Sequence, residues 1–138
     1  MTQEMTALKT AIIERFGTPC AVIDLDLVAR NIVTAQERCD AVGLANRPHI
    51  KTHKSPVLAN LQIKAGARGI TCQKLGEAEV MANAGITDII IATNLLGAAR
   101  SGRLAKLQRR LPLKVCADNT VSLSAYSQAA AQAGRPMD

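Results

Sequence analysis

The chain has 138 residues, 17 Lys and Arg against 11 Asp and Glu for a formal net charge of +6, and 48% hydrophobic residues. This is enough length for one domain with a real core, in the composition range of ordinary soluble globular proteins. Phe16 and Tyr126 are its only aromatic residues, which excludes nucleic-acid binding by base stacking and predicts a core of Ile, Leu, Val and Ala.

No apolar run approaches the length of a membrane span, and Met1 to Thr10, with Glu4 and Lys9, lacks the apolar core of a signal peptide. Cys20, Cys39, Cys72 and Cys116 are widely spaced with no C-x-x-C pair, so a reducing, cytoplasmic setting is expected. The positive charge is spread along the chain. Its densest run, Arg100, Arg103, Lys106, Arg109 and Arg110, alternates with Leu104, Leu107 and Leu111, the spacing of an amphipathic helix with a solvated basic face rather than a polyanion site.

Residues 1–17 read as a polar N-terminal arm. From Thr18 the chain becomes a repeated strand-then-helix pattern. Pro19 to Leu25 opens with a short apolar strand, and Asp26 is placed to cap a helix through Leu27, Ile32, Ala35 and Cys39 that breaks at Gly43. Pro48 to Thr52 is the next predicted strand. Ser55 then stands at an N-cap with Pro56 at N1, and the helix runs to Ala65-Gly66. A strand over Gly69–Cys72 is followed by a helix from Gly76 to Ala84-Gly85. Asp88–Ala92 is apolar enough to be buried on both faces. A helix over Ala98–Leu111, a strand over Leu113–Ala117 and a helix over Thr120–Ala133 complete the series.

Strands that recur about every 20–25 residues with a helix between them argue parallel βαβ units. An open dinucleotide-binding sheet would show G-x-G-x-x-G after its first strand, and neither that turn nor a Walker-type loop occurs. A barrel keeps polar residues at the C-terminal ends of its strands. Those ends here read Thr52-His53, Cys72-Gln73, Thr93-Asn94 and Asp118-Asn119. The fold class is therefore α/β, a partial (β/α)8 TIM-type barrel of about four strand-helix units, where a whole one takes about 250 residues. Residues 18–138 are expected to be the N-terminal portion of a larger enzyme, with the C-terminal half of the barrel missing.

The stretch Arg47-Pro48-His49-Ile50-Lys51-Thr52-His53-Lys54 concentrates the titratable groups and holds both histidines. As a strand it would put Arg47, His49, Lys51 and His53 on one face. A lysine among positive neighbours and partly out of water is disfavoured as ammonium, leaving a free amine that attacks carbonyls. Lys51 is thus a candidate Schiff-base lysine, against the alternative of a surface lysine. His49 and His53, four apart, would meet as metal ligands on a helix, but Pro48 favours a strand, and packing against a cofactor or tuning the lysine fits them better. Gln73, Asn94 and Asp118 read equally as site residues and as loop or capping groups. Glu77 and Glu79 are sufficiently explained by the helix dipole. Cys72 and Cys116 read as small buried residues.

Three motifs, T-P-C-A-V-I-D-L-D-L-V-A-R-N-I (18–32), R-P-H-I-K-T-H-K-S-P (47–56) and G-I-T-C-Q-K-L-G-E-A-E-V (69–80), resemble in order and spacing the N-terminal barrel domain of D-threonine aldolases and D-serine dehydratases. These are fold-type III pyridoxal-phosphate enzymes related to alanine racemase. The resemblance implies pyridoxal 5'-phosphate as cofactor, held by Lys51 as a Schiff base, with His49 and Gln73 lining its pocket. It implies a lyase acting on D-3-hydroxy amino acids, cleaving Cα–Cβ to glycine and an aldehyde or expelling the hydroxyl to give an oxoacid and ammonia. The aldolase is the slightly preferred name. The complete enzyme would be a homodimer using a divalent metal held in a C-terminal β-domain, whose ligands this sequence lacks. This piece alone would be inactive. A non-catalytic pyridoxal-phosphate carrier of the same barrel type and an amino-acid racemase are the alternatives.

Overall fold

The structure, a computed structural model, describes residues 3–138. The chain divides into two compact units, one reaching to Arg30 and one spanning Asn31–Asp138. In the first unit the predicted arm is a helix, α1 (Gln3–Phe16), followed by an extended, exposed segment. The strand expected over Pro19–Leu25 does not form. No neighbouring chain pairs with its backbone among the described residues, and Val22 and Ile23 stay exposed. Helix α2 (Leu25–Asp40) begins two residues earlier than expected because Asp24, not Asp26, is the cap: its Oδ1 accepts the Leu27 N–H at 2.9 Å.

The second unit is built on a parallel sheet of β1 (Ile70–Cys72), β2 (Ile89–Ile91) and β3 (Leu113–Val115), in the order β1-β2-β3. Helices α3 (Pro56–Lys64), α4 (Leu75–Asn83), α5 (Ala98–Arg110) and α6 (Thr120–Ala133) alternate with the strands. Helices α3 and α6 have an evident local cause. Ser55 Oγ accepts the Leu58 N–H at the start of α3, with Pro56 in the first turn. Asn119 Oδ1 accepts the Ser122 N–H at the start of α6, and Gly134 ends it in the left-handed conformation at φ 71°.

Register places Thr71 beside Ile90 and Ile90 beside Lys114. On the opposite face Ile70, Cys72, Ile89, Ile91 and Leu113 are buried under the helices, against Ala59, Ala78, Met81, Leu104, Leu107 and Ala129. The aliphatic core expected from the composition is thus the seam between one sheet face and four helices. Leu104, Leu107 and Leu111 are buried in it, while Arg103, Lys106, Arg109 and Arg110 face outward from α5.

Two polar groups tie the seam together. Gln108 is fully buried, its Oε1 accepting the Leu113 N–H at 2.8 Å and its Nε2 donating to Pro136 O. The Tyr126 hydroxyl accepts the Leu95 N–H at 2.9 Å and donates to Cys116 O at 3.2 Å, joining the ends of β2 and β3. Beyond β3, Asp138 donates its N–H to Leu113 O and accepts from the Val115 N–H, the alternation of a parallel ladder.

The predicted strand Pro48–Thr52 survives only as a single parallel bridge, His49 beside Thr71. Ile50–Thr52 is instead a 3-10 turn. The strict alternation of Arg47, His49, Lys51 and His53 on one face therefore ends at His49. Ile50 turns into the core, fully buried, and Lys51 and Thr52 are exposed. Pro48 lacks an N–H for the ladder, and the Ile50 carbonyl is taken by the N–H groups of His53 and Lys54 rather than by a neighbouring strand.

Candidate functional site

The bridge at His49 makes the Arg47–His49 segment the neighbour of β1, so four parallel segments end on the same side. After those ends come Lys51, Gln73, Thr93-Asn94 and Cys116 to Asp118. This is the C-terminal face, where enzymes of the barrel class assemble their chemistry.

Lys51 sits on the 3-10 turn. Its N–H donates to Nδ1 of His49 at 3.2 Å, and two residues after His53 the Ser55 N–H donates to Nδ1 of His53 at 3.0 Å. Each ring therefore uses Nδ1 as an acceptor, which assigns the proton of the neutral imidazole to Nε2. Nε2 of His53 is buried and has no partner among the described residues. The two histidines brace the backbone on either side of Lys51 instead of meeting as a ligand pair. Among the described residues no group of three His, Cys, Asp or Glu side chains converges. The Lys51 side chain is exposed, rather than partly withdrawn from water as expected, and makes no hydrogen bond or ion pair among the described residues.

Lys54 closes the turn. Its N–H donates to Ile50 O at 2.7 Å, and its backbone takes the left-handed conformation at φ 52°. Its ammonium pairs with Glu77 Oε1 at 2.8 Å. The other oxygen of Glu77 accepts the N–H groups of Gln73 at 2.8 Å and Lys74 at 3.2 Å, capping α4. Burial pushes the Glu77 carboxyl up, but the hydrogen bonds from Lys54, Gln73 and Lys74 outweigh it and hold the group below its ordinary value.

Gln73 reaches across to β2, its Nε2 donating to Thr93 Oγ1 at 2.8 Å while that hydroxyl donates back to Gln73 O. Asn94 Nδ2 donates to Asp118 Oδ1, joining the ends of β2 and β3. A cleft of about 580 Å³ opens beside these groups, lined by Lys54, Gln73, Glu77, Thr93, Asn94 and Arg100 among others. Lys51 and His49 lie outside that lining. The structure thus brings His49 to Lys51 and Gln73 to Thr93, and beyond the backbone bridge of His49 to Thr71 the side chains of Lys54 and Glu77 link the two groups.

Sequence reasoning missed Lys54, Glu77 and Thr93. Glu77 stands three residues after Lys74, where a carboxylate caps a helix, and that local role concealed its long-range one. Cys72 is buried as expected, its thiol pushed up to about 12 by burial and then by the charge of Glu77. Cys116 corrects the expectation. It lies one residue past the β3 ladder and is exposed.

Comparison with known proteins gives the same frame. D-threonine aldolase from an Arthrobacter species is 43% identical over 124 residues, 90% of this chain and 33% of that protein. D-threo-3-hydroxyaspartate dehydratase from Delftia sp. (strain HT23) is 44% identical over 110 residues, 80% of this chain and 29% of that protein. Among solved structures, D-threonine aldolase from Filomicrobium marinum superposes with a TM-score of 0.84 at 38% identity, covering 88% of this chain and 33% of that one. The chain spans about a third of the length of the relatives it matches. Its parallel strands and helices are the N-terminal part of a TIM-barrel-type fold. The alanine racemase N-terminal domain matches residues 23–138, and the chain belongs to that family.

Proposed function

We propose that this chain is the cofactor-holding N-terminal part of a pyridoxal-phosphate-dependent lyase acting on D-3-hydroxy amino acids, with Lys51 as the residue that forms the Schiff base. One observation carries the reading. Lys51 presents an exposed amine without a partner among the described residues, on a braced turn at the C-terminal face of a parallel sheet. A Schiff base needs an unpaired amine that a carbonyl carbon can approach, and Lys54 and Lys114, both ion-paired, offer less.

The residues present fit the aldehyde end of pyridoxal phosphate. His49 and Gln73 stand at the ends of adjacent segments of the same sheet, and the Nε2 proton of His49 points to a donor role toward a ring substituent. When bound, the cofactor supplies the electron sink for charge that develops at Cα of the amino acid. This chain contributes the anchoring amine, braces it through His49 and His53, and fixes the neighbouring Gln73 through Thr93 and Glu77. No residue of this chain is assigned to a metal. The relatives' names pair an aldolase with a dehydratase at near-equal identity, and the class common to both names is a lyase of small 3-hydroxy D-amino acids.

The test is borohydride reduction of the chain after incubation with pyridoxal phosphate, followed by peptide mapping. The expected result is a pyridoxyl label on Lys51. A label confined to Lys54 or Lys74 would overturn the assignment.

A further inference from the structure

Helix capping explains why Glu77 binds the N–H groups of Gln73 and Lys74. It does not explain Oε1, which is occupied by the ammonium of Lys54, 23 residues away in sequence. Nor does it explain Lys54 itself, the one non-glycine residue with positive φ among the described residues, at 52°. A residue with a Cβ occupies that region only where its surroundings hold it there. Here the holding contacts are the Lys54 N–H on Ile50 O and the Lys54 ammonium on Glu77, whose side chain is only 9% exposed. Ile50, fully buried, anchors the other end of the same turn. Lys51 therefore lies between a residue fixed in the core and a residue clamped to the start of α4.

We propose that Glu77 is a positioning residue for Lys51: by clamping the left-handed Lys54 to the start of α4, it fixes the 3-10 turn that presents the Lys51 amine and ties that turn to Gln73. The proposal rests on the reading of Lys51 as the carbonyl-binding lysine, and its test is arranged so that the two can fail separately. Loss of the clamp leaves Lys54 strained with one backbone hydrogen bond to hold it, so the turn opens more often. The exposed amine then has no fixed place relative to Gln73.

The experiment compares the chain with Glu77→Gln, Lys54→Met and the double variant Glu77→Gln with Lys54→Gly. Glutamine keeps an acceptor for the cap of α4 but removes the charge that holds Lys54. Methionine breaks the same pair from the other side and leaves the cap intact. Glycine at 54 adopts φ 52° without strain and needs no clamp. Two quantities are read: hydrogen exchange of the Lys54 and Ser55 amides, and the share of pyridoxyl label on Lys51 relative to Lys64 and Lys74 after borohydride. In Glu77→Gln and in Lys54→Met both amides should exchange about threefold faster, the range for a half-exposed ion pair. The Lys51 share of label should fall by about the same factor, while amides of α5 and α6 keep their rates. The double variant should recover both values. Wild-type exchange and labelling in the single variants would overturn the proposal. So would a double variant that recovers exchange but not labelling, since Glu77 would then act on Lys51 by some route other than the turn. If the unaltered chain carries no label on Lys51, the functional reading falls, while the exchange data still decide whether Glu77 clamps the turn.

Discussion

Asp88 closes the opposite end of the sheet, and its replacement by asparagine tests how that end is held. Its carboxylate accepts from Arg47 Nη1 at 2.7 Å and Nη2 at 3.0 Å, and from Lys114 Nζ at 3.0 Å, with Arg68 at 4.0 Å. Hydrogen bonds from Arg47, against a smaller opposing effect of burial and with further help from Lys114, lower its pKa from 3.8 to about 2. At ~1.36 kcal/mol per pKa unit that shift is worth about 2.4 kcal/mol. The side chain is 28% exposed, and solvent screening trims the figure to about 1–2 kcal/mol. The sign follows from linkage: the unfolded chain protonates Asp88 near its ordinary value and the folded chain only near the lowered one. The contribution is fully present above about pH 4 and is lost as the pH falls through about 2. Urea unfolding followed by far-ultraviolet circular dichroism should show the Asp88→Asn midpoint about 1 M lower at neutral pH. The gap should close at about pH 2. Equal midpoints at neutral pH would mean that the cluster contributes nothing. A gap undiminished at low pH would mean that charge is not its cause.

Two further outcomes follow from the packing. A Cβ on Gly69 would collide with Arg47 Nη1 and with Asp88 O; because the second contact is backbone, Gly69→Ala should cost about 2–3 kcal/mol in the same unfolding assay, and a cost below about 0.5 kcal/mol would refute the close approach. With a thiol reagent at mildly alkaline pH, the exposed Cys20 and Cys116 should react first and the buried Cys72, its thiol at about 12, only on unfolding; rapid labelling of Cys72 in the folded chain would contradict its burial.

Much of the helical framework was legible because helices are specified locally. Ser55-Pro56, Asn119 and Gly134 mark their ends by their own side chains and dihedrals. The strands at 70–72, 89–91 and 113–115 were legible because each is a short apolar run between a glycine- or proline-marked turn and a helix. The segment 19–25 has the same look and forms no strand, because strandedness is a relation to a neighbour and apolar patterning does not supply one. Pro48–Thr52 failed for a second reason: past His49 the backbone satisfies Ile50 O within its own turn. At the candidate site, Lys51 and His49 were proposed from their motif. The pairing that joins them to Gln73 was not, since it depends on a left-handed lysine that no residue pattern announces. Cys116 was misplaced by a single position: it follows the last strand residue of β3, and its side chain is exposed although its backbone still bonds to Ile91 and Tyr126.

The register explains why two polar clusters so close in sequence have separate tasks. His49, Thr71, Ile90 and Lys114 form one row across the sheet. Two residues before that row come Arg47, Gly69 and Asp88; two residues after it come Lys51, Gln73, Ala92 and Cys116. The period of two keeps the first two rows on the same face, and the last row lies just past the ladder, where Ile50–Thr52 has already turned into a 3-10 helix. At the N-terminal row the carboxylate is saturated by three cations, and Gly69 is small so that Arg47 can cross it to reach Asp88. Such an arrangement holds segments together and leaves nothing free to react. At the C-terminal row the chain leaves the ladder, and the Lys51 amine is left unpaired among the described residues while the N–H groups of Lys51, His53, Lys54 and Ser55 are held within the turn. The stabilising cluster and the lysine proposed to react thus stand toward opposite ends of the sheet, the division that barrel enzymes use. Loss of Asp88 should lower the unfolding midpoint without redistributing label among the lysines of the folded chain. Loss of the Glu77 charge should redistribute label with little effect on the midpoint. A single variant that moved both in proportion would show that the two rows are one cooperative element, and the division argued from the register would not hold.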